Sequence, residues 1–313
     1  MSVRLPVLAT VLAAWRDVFA DFPATLRALS LIFAVLMVFT EVPLLFISNY
    51  VHDVVTPAMA QTEKADSAPA EAAASTPADR LAKISPATRA GVLLGALALY
   101  TLQMVLVFGF MYAWYHQLLT GENKGKPIRP RFGKNEWRLM WTSVKVGFAL
   151  LPVLFFAVGV VTAAYPTGDV KAAPAFSPWP PLVILLIIGL YVQARTALAY
   201  PATVASENDA PFMESWTLTR KQALPLALGN VLVEVPFFAG MYLLFLAIAW
   251  ALGLVLPVPE EGKELGGPLL FAVQLFLKAV GQLSVLLFVA LLSAFHARAY
   301  AYLVRASSNT SSA

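Results

Sequence analysis

Five charged residues lie well inside long apolar segments, where a charge is costly unless it is paired or hydrated. They are Glu41, Lys145, Arg195, Glu234 and Lys278. Such residues either join neighbouring helices as ion pairs, which is the more common role, or mark a path for an ion or solute. From their expected depths we predict two pairs, Glu41 with Lys278 and Glu234 with Lys145 or Arg195. The sequence leaves both roles open.

The remaining reactive residue types give little support to catalysis. His52, His116 and His296 do not follow a metal-binding or catalytic spacing, and the chain has no His-Glu-x-x-His or Gly-x-Ser-x-Gly motif. The absence of cysteine excludes thiolate nucleophiles, disulfides and cysteine-based metal sites. We therefore expect a protein without enzymatic activity, with no cofactor and no metal site. A membrane-embedded lipid enzyme is the least favoured alternative.

The composition indicates what kind of structure must position the five charges. Of 313 residues, 59% are hydrophobic and 13% charged, whereas soluble domains are about half apolar and a quarter charged. Apolar runs of about 20 residues are long enough to cross a bilayer as helices. The sequence predicts an all-α polytopic membrane protein with six transmembrane helices plus amphipathic interfacial helices. The predicted spans are 28–48, 91–117, 139–164, 181–200, 225–256 and 268–300.

Five regions follow from this pattern. Residues 1–27 have apolar side chains at helical spacing beside charged ones, which predicts an N-terminal interfacial helix. Residues 28–50 form the first membrane span, and 51–90 form an Ala/Pro/Ser/Glu-rich loop that we expect to be disordered and extracytoplasmic. Residues 91–303 form a five-span helical membrane domain, and 304–313 form a polar C-terminal tail.

Basic residues indicate the orientation. Lys and Arg are concentrated in the connections 119–138 and 201–224, whereas 165–180 and 257–267 hold one each. Because cytoplasmic loops carry the basic excess, both termini are predicted to be cytoplasmic. The net charge of +4 then reflects topology and anionic lipid rather than nucleic acid. The cations expected to contact anionic lipid are Lys124, Lys126, Arg129, Arg131 and Lys134.

A charged stretch, ENDAPFMESWTLTR, separates the fourth and fifth predicted spans. Asn208 and Asp209 are good helix caps, and Phe212 and Trp216 lie four residues apart, on one face of a helix. This pattern predicts a short amphipathic helix at the membrane surface, which changes the direction of the chain before the fifth span.

The same stretch resembles the membrane domain associated with some glycerophosphodiester phosphodiesterases and related bacterial inner-membrane proteins. The resemblance implies a helical membrane fold in the bacterial inner membrane. It does not imply hydrolase activity, because 313 residues leave no room for the soluble phosphodiesterase domain. The residues of this family-like elbow are Glu207, Glu214, Ser215, Trp216, Leu218, Thr219 and Arg220.

These patterns together favour a non-enzymatic integral membrane protein with a structural, lipid-interacting or accessory role. The expected partners are membrane lipids, particularly anionic ones, and the sequence leaves room for a protein partner in the membrane. The main alternative is a transporter of a small solute or lipid that uses the intramembrane Glu/Lys pairs.

Overall fold

The computed structural model describes residues 4–47, 86–122, 126–129, 133–165, 176–205, 211–255 and 267–311. Most of the predicted loop 51–90 lies outside these ranges. Within them the chain is built from helices and contains no strand. The helices are α1 (Val7–Phe19), α2 (Phe22–Leu36), α3 (Pro86–Thr120), α4 (Lys134–Ala164), α5 (Trp179–Thr196), α6 (Ala199–Ala205), α7 (Pro211–Leu218), α8 (Ala223–Val255) and α9 (Gly267–Ser311).

Six helical segments of the described chain are long and apolar enough to cross a membrane, which confirms the predicted fold class. Large apolar side chains point outward from them: Phe155 on α4 is 70% exposed and Trp250 on α8 is 71% exposed. Such exposure is expected where lipid, rather than protein, covers a helix. The spans are Phe22–Ile47, Ala90–Thr120, Lys134–Ala164, Trp179–Ala205, Ala223–Gly253 and Phe271–Asn309.

The first span begins earlier than its sequence suggests. Helix α1 ends at Phe19, and the side chain of Asp21 accepts a hydrogen bond from the Ala24 amide at 3.2 Å. An acidic side chain in this position caps a new helix, so residues 22–27 belong to α2 rather than to the interfacial helix. At the other end of the chain, α9 continues to Ser311, so the polar tail 304–313 is helical over most of its length.

Helix α1 packs against α8 and has two apolar faces, one buried and one exposed. Val11, Ala14 and Val18 are buried, while Leu8 and Leu12 are largely exposed apolar side chains. One face therefore packs against the protein, and a second apolar face is left to meet lipid, as expected for an interfacial helix.

The chain divides into two compact units. Unit 1 is formed by the described parts of Met1–Ser30, Phe108–Val258 and Ser284–Ala313, and unit 2 by those of Leu31–Val107 and Pro259–Leu283. In unit 1, α4 packs against α5, α6 and α7, and α5 also packs against α8. Helices α2, α3 and α9 contribute residues to both units.

Candidate functional site

Glu41 and Lys278 meet in unit 2. The Lys278 Nζ atom lies 3.3 Å from Glu41 Oε2, and the two side chains are 47% and 9% exposed, respectively. Glu41 ends a π-helical turn, Met37–Glu41, in which the Val42 amide bonds to the Met37 carbonyl five residues back. Pro43 follows and cannot donate a backbone hydrogen bond, which favours such a local change of helix geometry. Single π-helical turns are frequent at functional sites.

Three glutamines extend this pair into a polar cluster, which we call the Glu41–Lys278 cluster. Gln274, Lys278 and Gln282 follow one another at four-residue intervals, so they share one face of α9. Gln103 Nε2 lies 3.5 Å from Gln282 Oε1. The buried atoms Gln274 Oε1 and Gln282 Nε2 have no hydrogen-bond partner among the described residues. Unsatisfied buried polar atoms are rare in proteins, so each one needs a physical explanation.

The predicted pairing of Glu234 with Lys145 or Arg195 does not form within the described chain. Glu234 Oε1 instead accepts a hydrogen bond from Gln193 Nε2 at 3.0 Å. Successive residues of an α-helix are rotated by about 100°, so residues two apart on α5 point in nearly opposite directions. Gln193 faces Glu234, and Arg195 consequently points away from it. Lys145 is exposed on α4.

Arg195 contacts the family-like elbow. Its guanidinium carbon lies 4.3 Å from the centre of the Trp216 ring, although Arg195 itself is buried. The Arg195 carbonyl oxygen accepts a hydrogen bond from the Ser215 hydroxyl at 2.9 Å, and the Thr219 hydroxyl lies 3.1 Å from it. Because α5 ends at Thr196, this carbonyl belongs to the helix end that lacks intrahelical donors.

Contacts with α5 and α9 explain the spacing of the polar residues in the elbow. Ser215 and Thr219 lie four residues apart on one face and together hold α7 against the C-terminal end of α5. Glu214 Oε1 accepts a hydrogen bond from the Tyr300 hydroxyl at 2.8 Å, which joins the elbow to α9. Leu218 ends α7 and Arg220 is exposed just beyond it, while Glu207 lies outside the described residues.

The basic loop before α4 is fixed in place on α2. The Ile128 amide donates to the Ala28 carbonyl at 3.0 Å, and the Ile128 side chain is buried. At the start of α4, the Gly133 amide donates to the Glu136 carboxylate at 2.9 Å, which caps the helix. Lys126 and Arg129 in this loop and Lys134 at the start of α4 are exposed, whereas Lys124 and Arg131 lie outside the described residues.

Two features of unit 1 had no clear signal in the sequence. One is an ion pair in which Arg298 donates to both carboxylate oxygens of Asp17. The other is a buried polar chain in which His296 Nε2 lies 3.0 Å from Asn230 Oδ1, and His296 Nδ1 lies 3.5 Å from the Tyr115 hydroxyl. These residues are 66 to 281 positions apart, so local spacing could not indicate either contact.

The Asp17–Arg298 pair lines a half-open cleft with a volume of about 790 Å³. Its walls come from α1, the start of α2, the last turns of α3 and the C-terminal part of α9. Seven of the described lining residues are alanines, whose small side chains leave the space open. In the described part of the chain, no group of three or more His, Asp or Glu residues is arranged to hold a metal ion.

Comparison with known proteins adds no further assignment. No protein-family model matches the chain, and neither a curated protein nor a solved structure matches it. The resemblance of the elbow to the membrane domain associated with glycerophosphodiester phosphodiesterases therefore stays a prediction from its sequence pattern.

Proposed function

We propose that this chain is a non-enzymatic, lipid-interacting protein of the bacterial inner membrane, with both termini in the cytoplasm. The observation that carries the proposal is the attachment of the basic loop to α2 through Ile128 and Ala28. We further propose that the elbow relates the chain to the membrane domain associated with glycerophosphodiester phosphodiesterases.

The position of the basic loop supports contact with lipid headgroups. It connects the end of the span Ala90–Thr120 to the start of the span Lys134–Ala164, so it lies at a membrane surface. A cation near an anionic membrane surface contributes about 1 kcal/mol of attraction. Because buried Ile128 fixes the loop, Arg129 and Lys134 are held near the surface with less loss of chain entropy than on a free loop. The high number of basic residues in this loop also favours a cytoplasmic position.

Native mass spectrometry of the protein released gently from its own membrane tests this function. We expect selectively retained anionic lipid, and a reduced amount in the variant Arg129→Gln/Lys134→Gln. The matched control, Arg27→Gln/Lys221→Gln, removes two exposed cations elsewhere and should retain wild-type lipid. Absence of selective lipid from the wild type would overturn the proposal, and a stoichiometric protein partner in its place would indicate an accessory subunit.

A transporter of a small solute or lipid is the second candidate, and the Glu41–Lys278 cluster favours it. An ion pair beside a π-helical turn, with two unsatisfied glutamine atoms, is the kind of polar group that a hydrated path requires. The natural chain has no cysteine, so single variants such as Gln274→Cys and Gln282→Cys can be labelled without background. Reaction with a membrane-impermeant thiol reagent would support a water-filled path, and protection of both positions would argue against it.

A further inference from the structure

The ends of two candidate membrane spans line the cleft beside the Asp17–Arg298 pair. Its lining includes Asp21, which caps the start of the first span, and Leu119, next to the last residue of the second. Both positions are ends of spanning helices, where the hydrocarbon region gives way to phosphates and water. Ala28 also lines the cleft, and its carbonyl binds the basic loop, so the two features adjoin each other.

Among the described residues, the charged side chains that line the cleft differ in whether they have an ion-pair partner. Arg298 is bound to Asp17 through two nitrogens, and Asp21 caps α2. Arg16 and Arg305 also line the cleft and are exposed. Within the described residues, neither of these two arginines has an acidic side chain at ion-pair distance. Among the described residues, the lining therefore carries three arginines and two aspartates, a formal excess of one positive charge.

We propose that this cleft binds the phosphodiester headgroup of one anionic phospholipid between Arg16 and Arg305. A phosphodiester carries one negative charge, and the planar guanidinium group donates two parallel hydrogen bonds to phosphate oxygens. The cavity volume falls within the usual range of about 300 to 1,000 Å³ for ligand sites. The alanine walls leave room for a headgroup, and the buried Trp114 closes part of the cleft with an aromatic surface.

A lipid fits this cleft better than a free phosphate ion. The lining continues from the arginines to Leu118 and Leu119 on the last turns of a spanning helix, where an acyl chain would begin. Free phosphate would leave this apolar part unused. The inference rests on the proposed lipid-interacting function, and it adds a defined site and a headgroup class to the surface contact made by the basic loop.

The test is a lipid titration of the purified full chain in detergent, followed by native mass spectrometry. Phosphatidylglycerol provides the anionic phosphodiester, phosphatidylcholine the same group without net charge, and glycerol 3-phosphate a soluble phosphate. We expect one phosphatidylglycerol molecule to bind more tightly than the others. Its affinity should fall about tenfold in Arg16→Gln/Arg305→Gln, which corresponds to about 1.4 kcal/mol. The control Arg27→Gln/Lys221→Gln should bind as the wild type does.

The outcomes separate this site from the proposed function. Unchanged phosphatidylglycerol affinity in Arg16→Gln/Arg305→Gln would overturn the cleft site, even if Arg129→Gln/Lys134→Gln loses lipid and the general function stands. Equal losses in the cleft variant and the control would mean a charge effect without a site. Effective competition by glycerol 3-phosphate would indicate a site for soluble phosphate esters instead. A melting temperature measured for each variant ensures that only folded protein is compared.

Discussion

Glu41 and Lys278 form an ion pair whose two members are unequally exposed: Glu41 is almost completely buried and Lys278 is about half exposed. Breaking a buried pair is costly because the remaining charge stays in a region of low dielectric constant. The two single neutralisations should therefore differ.

Replacing Lys278 by Gln should destabilise the protein more than replacing Glu41 by Gln. The first change leaves a buried carboxylate without its partner, whereas the second leaves an ammonium group that can reach the membrane surface. We expect a loss of about 1 to 3 kcal/mol for Lys278→Gln, between the values for exposed and buried pairs. The apparent melting temperature in detergent, followed by size-exclusion chromatography after heating, measures the difference.

A double variant and a charge swap show whether the pair is structural or lies on a solute path. Glu41→Gln/Lys278→Gln should recover much of the loss, because it removes both charges together. Glu41→Lys/Lys278→Glu should retain both stability and function if the pair is structural. Folded single variants that have lost a transport activity would instead place the pair on a solute path.

Removing the elbow hydroxyls should loosen α7 from α5. Ser215→Ala and Thr219→Val each delete a hydroxyl beside the Arg195 carbonyl oxygen, and we expect about 1 kcal/mol of destabilisation for each. Thr217→Ala is the matched control, since among the described residues its exposed hydroxyl bonds only to the Met213 carbonyl of the same helix. Equal melting temperatures for the control and the two buried variants would contradict a role of these hydroxyls in holding the elbow.

The Trp216 ring should stabilise the buried side chain of Arg195. Trp216→Leu removes the aromatic face 4.3 Å from the guanidinium group, and cation–π contacts between exposed and desolvated extremes contribute about 0.5 to 2 kcal/mol. Trp216→Phe keeps an aromatic face and should lose less. Thermal unfolding of the two variants checks the order, and a Phe variant as unstable as the Leu variant would assign the effect to lost apolar contact instead.

The sequence predicted what local patterns can encode. Apolar runs predicted the six spans, and the expected depths of Glu41 and Lys278 anticipated their contact across more than 230 residues of chain. Prediction failed for Glu234 because its partner depends on helix rotation, which brings Gln193 rather than Arg195 to face it. The rotation of a helix about its axis decides which of its residues faces a given neighbour. Packing against several helices sets this rotation, and hydropathy does not determine it.

The cleft was beyond sequence reasoning for a different reason. Asp17 and Arg298 belong to opposite ends of the chain, and each resembles an ordinary interfacial charge in its own segment. Only their contact indicates that α1 and α9 form a common wall. The alanines of the cleft are similarly uninformative, because small residues in helices usually indicate close packing rather than open space.

Gly229 should be intolerant of even one added methyl group. A Cβ atom at this position would overlap the ring of Phe295, which is fully buried in unit 1. Gly229→Ala should therefore force the ring to move, and overpacking of this kind costs about 1 to 3 kcal/mol. The matched control on the same helix is Gly240→Ala, where no described atom beyond the glycine's own helical turn lies within 4 Å of the added carbon. The control should be neutral or stabilise by up to about 1 kcal/mol, because alanine favours helices over glycine.

A second change tests the cause of the Gly229→Ala effect. Phe295→Leu in the Gly229→Ala background makes room for the methyl group, so it should recover part of the lost melting temperature. The same Phe295→Leu change in the wild-type background should destabilise, because it leaves a cavity beside the glycine. A melting temperature that falls by the sum of the two single effects would mean that the methyl group and the ring do not meet, since residues in contact deviate from additivity.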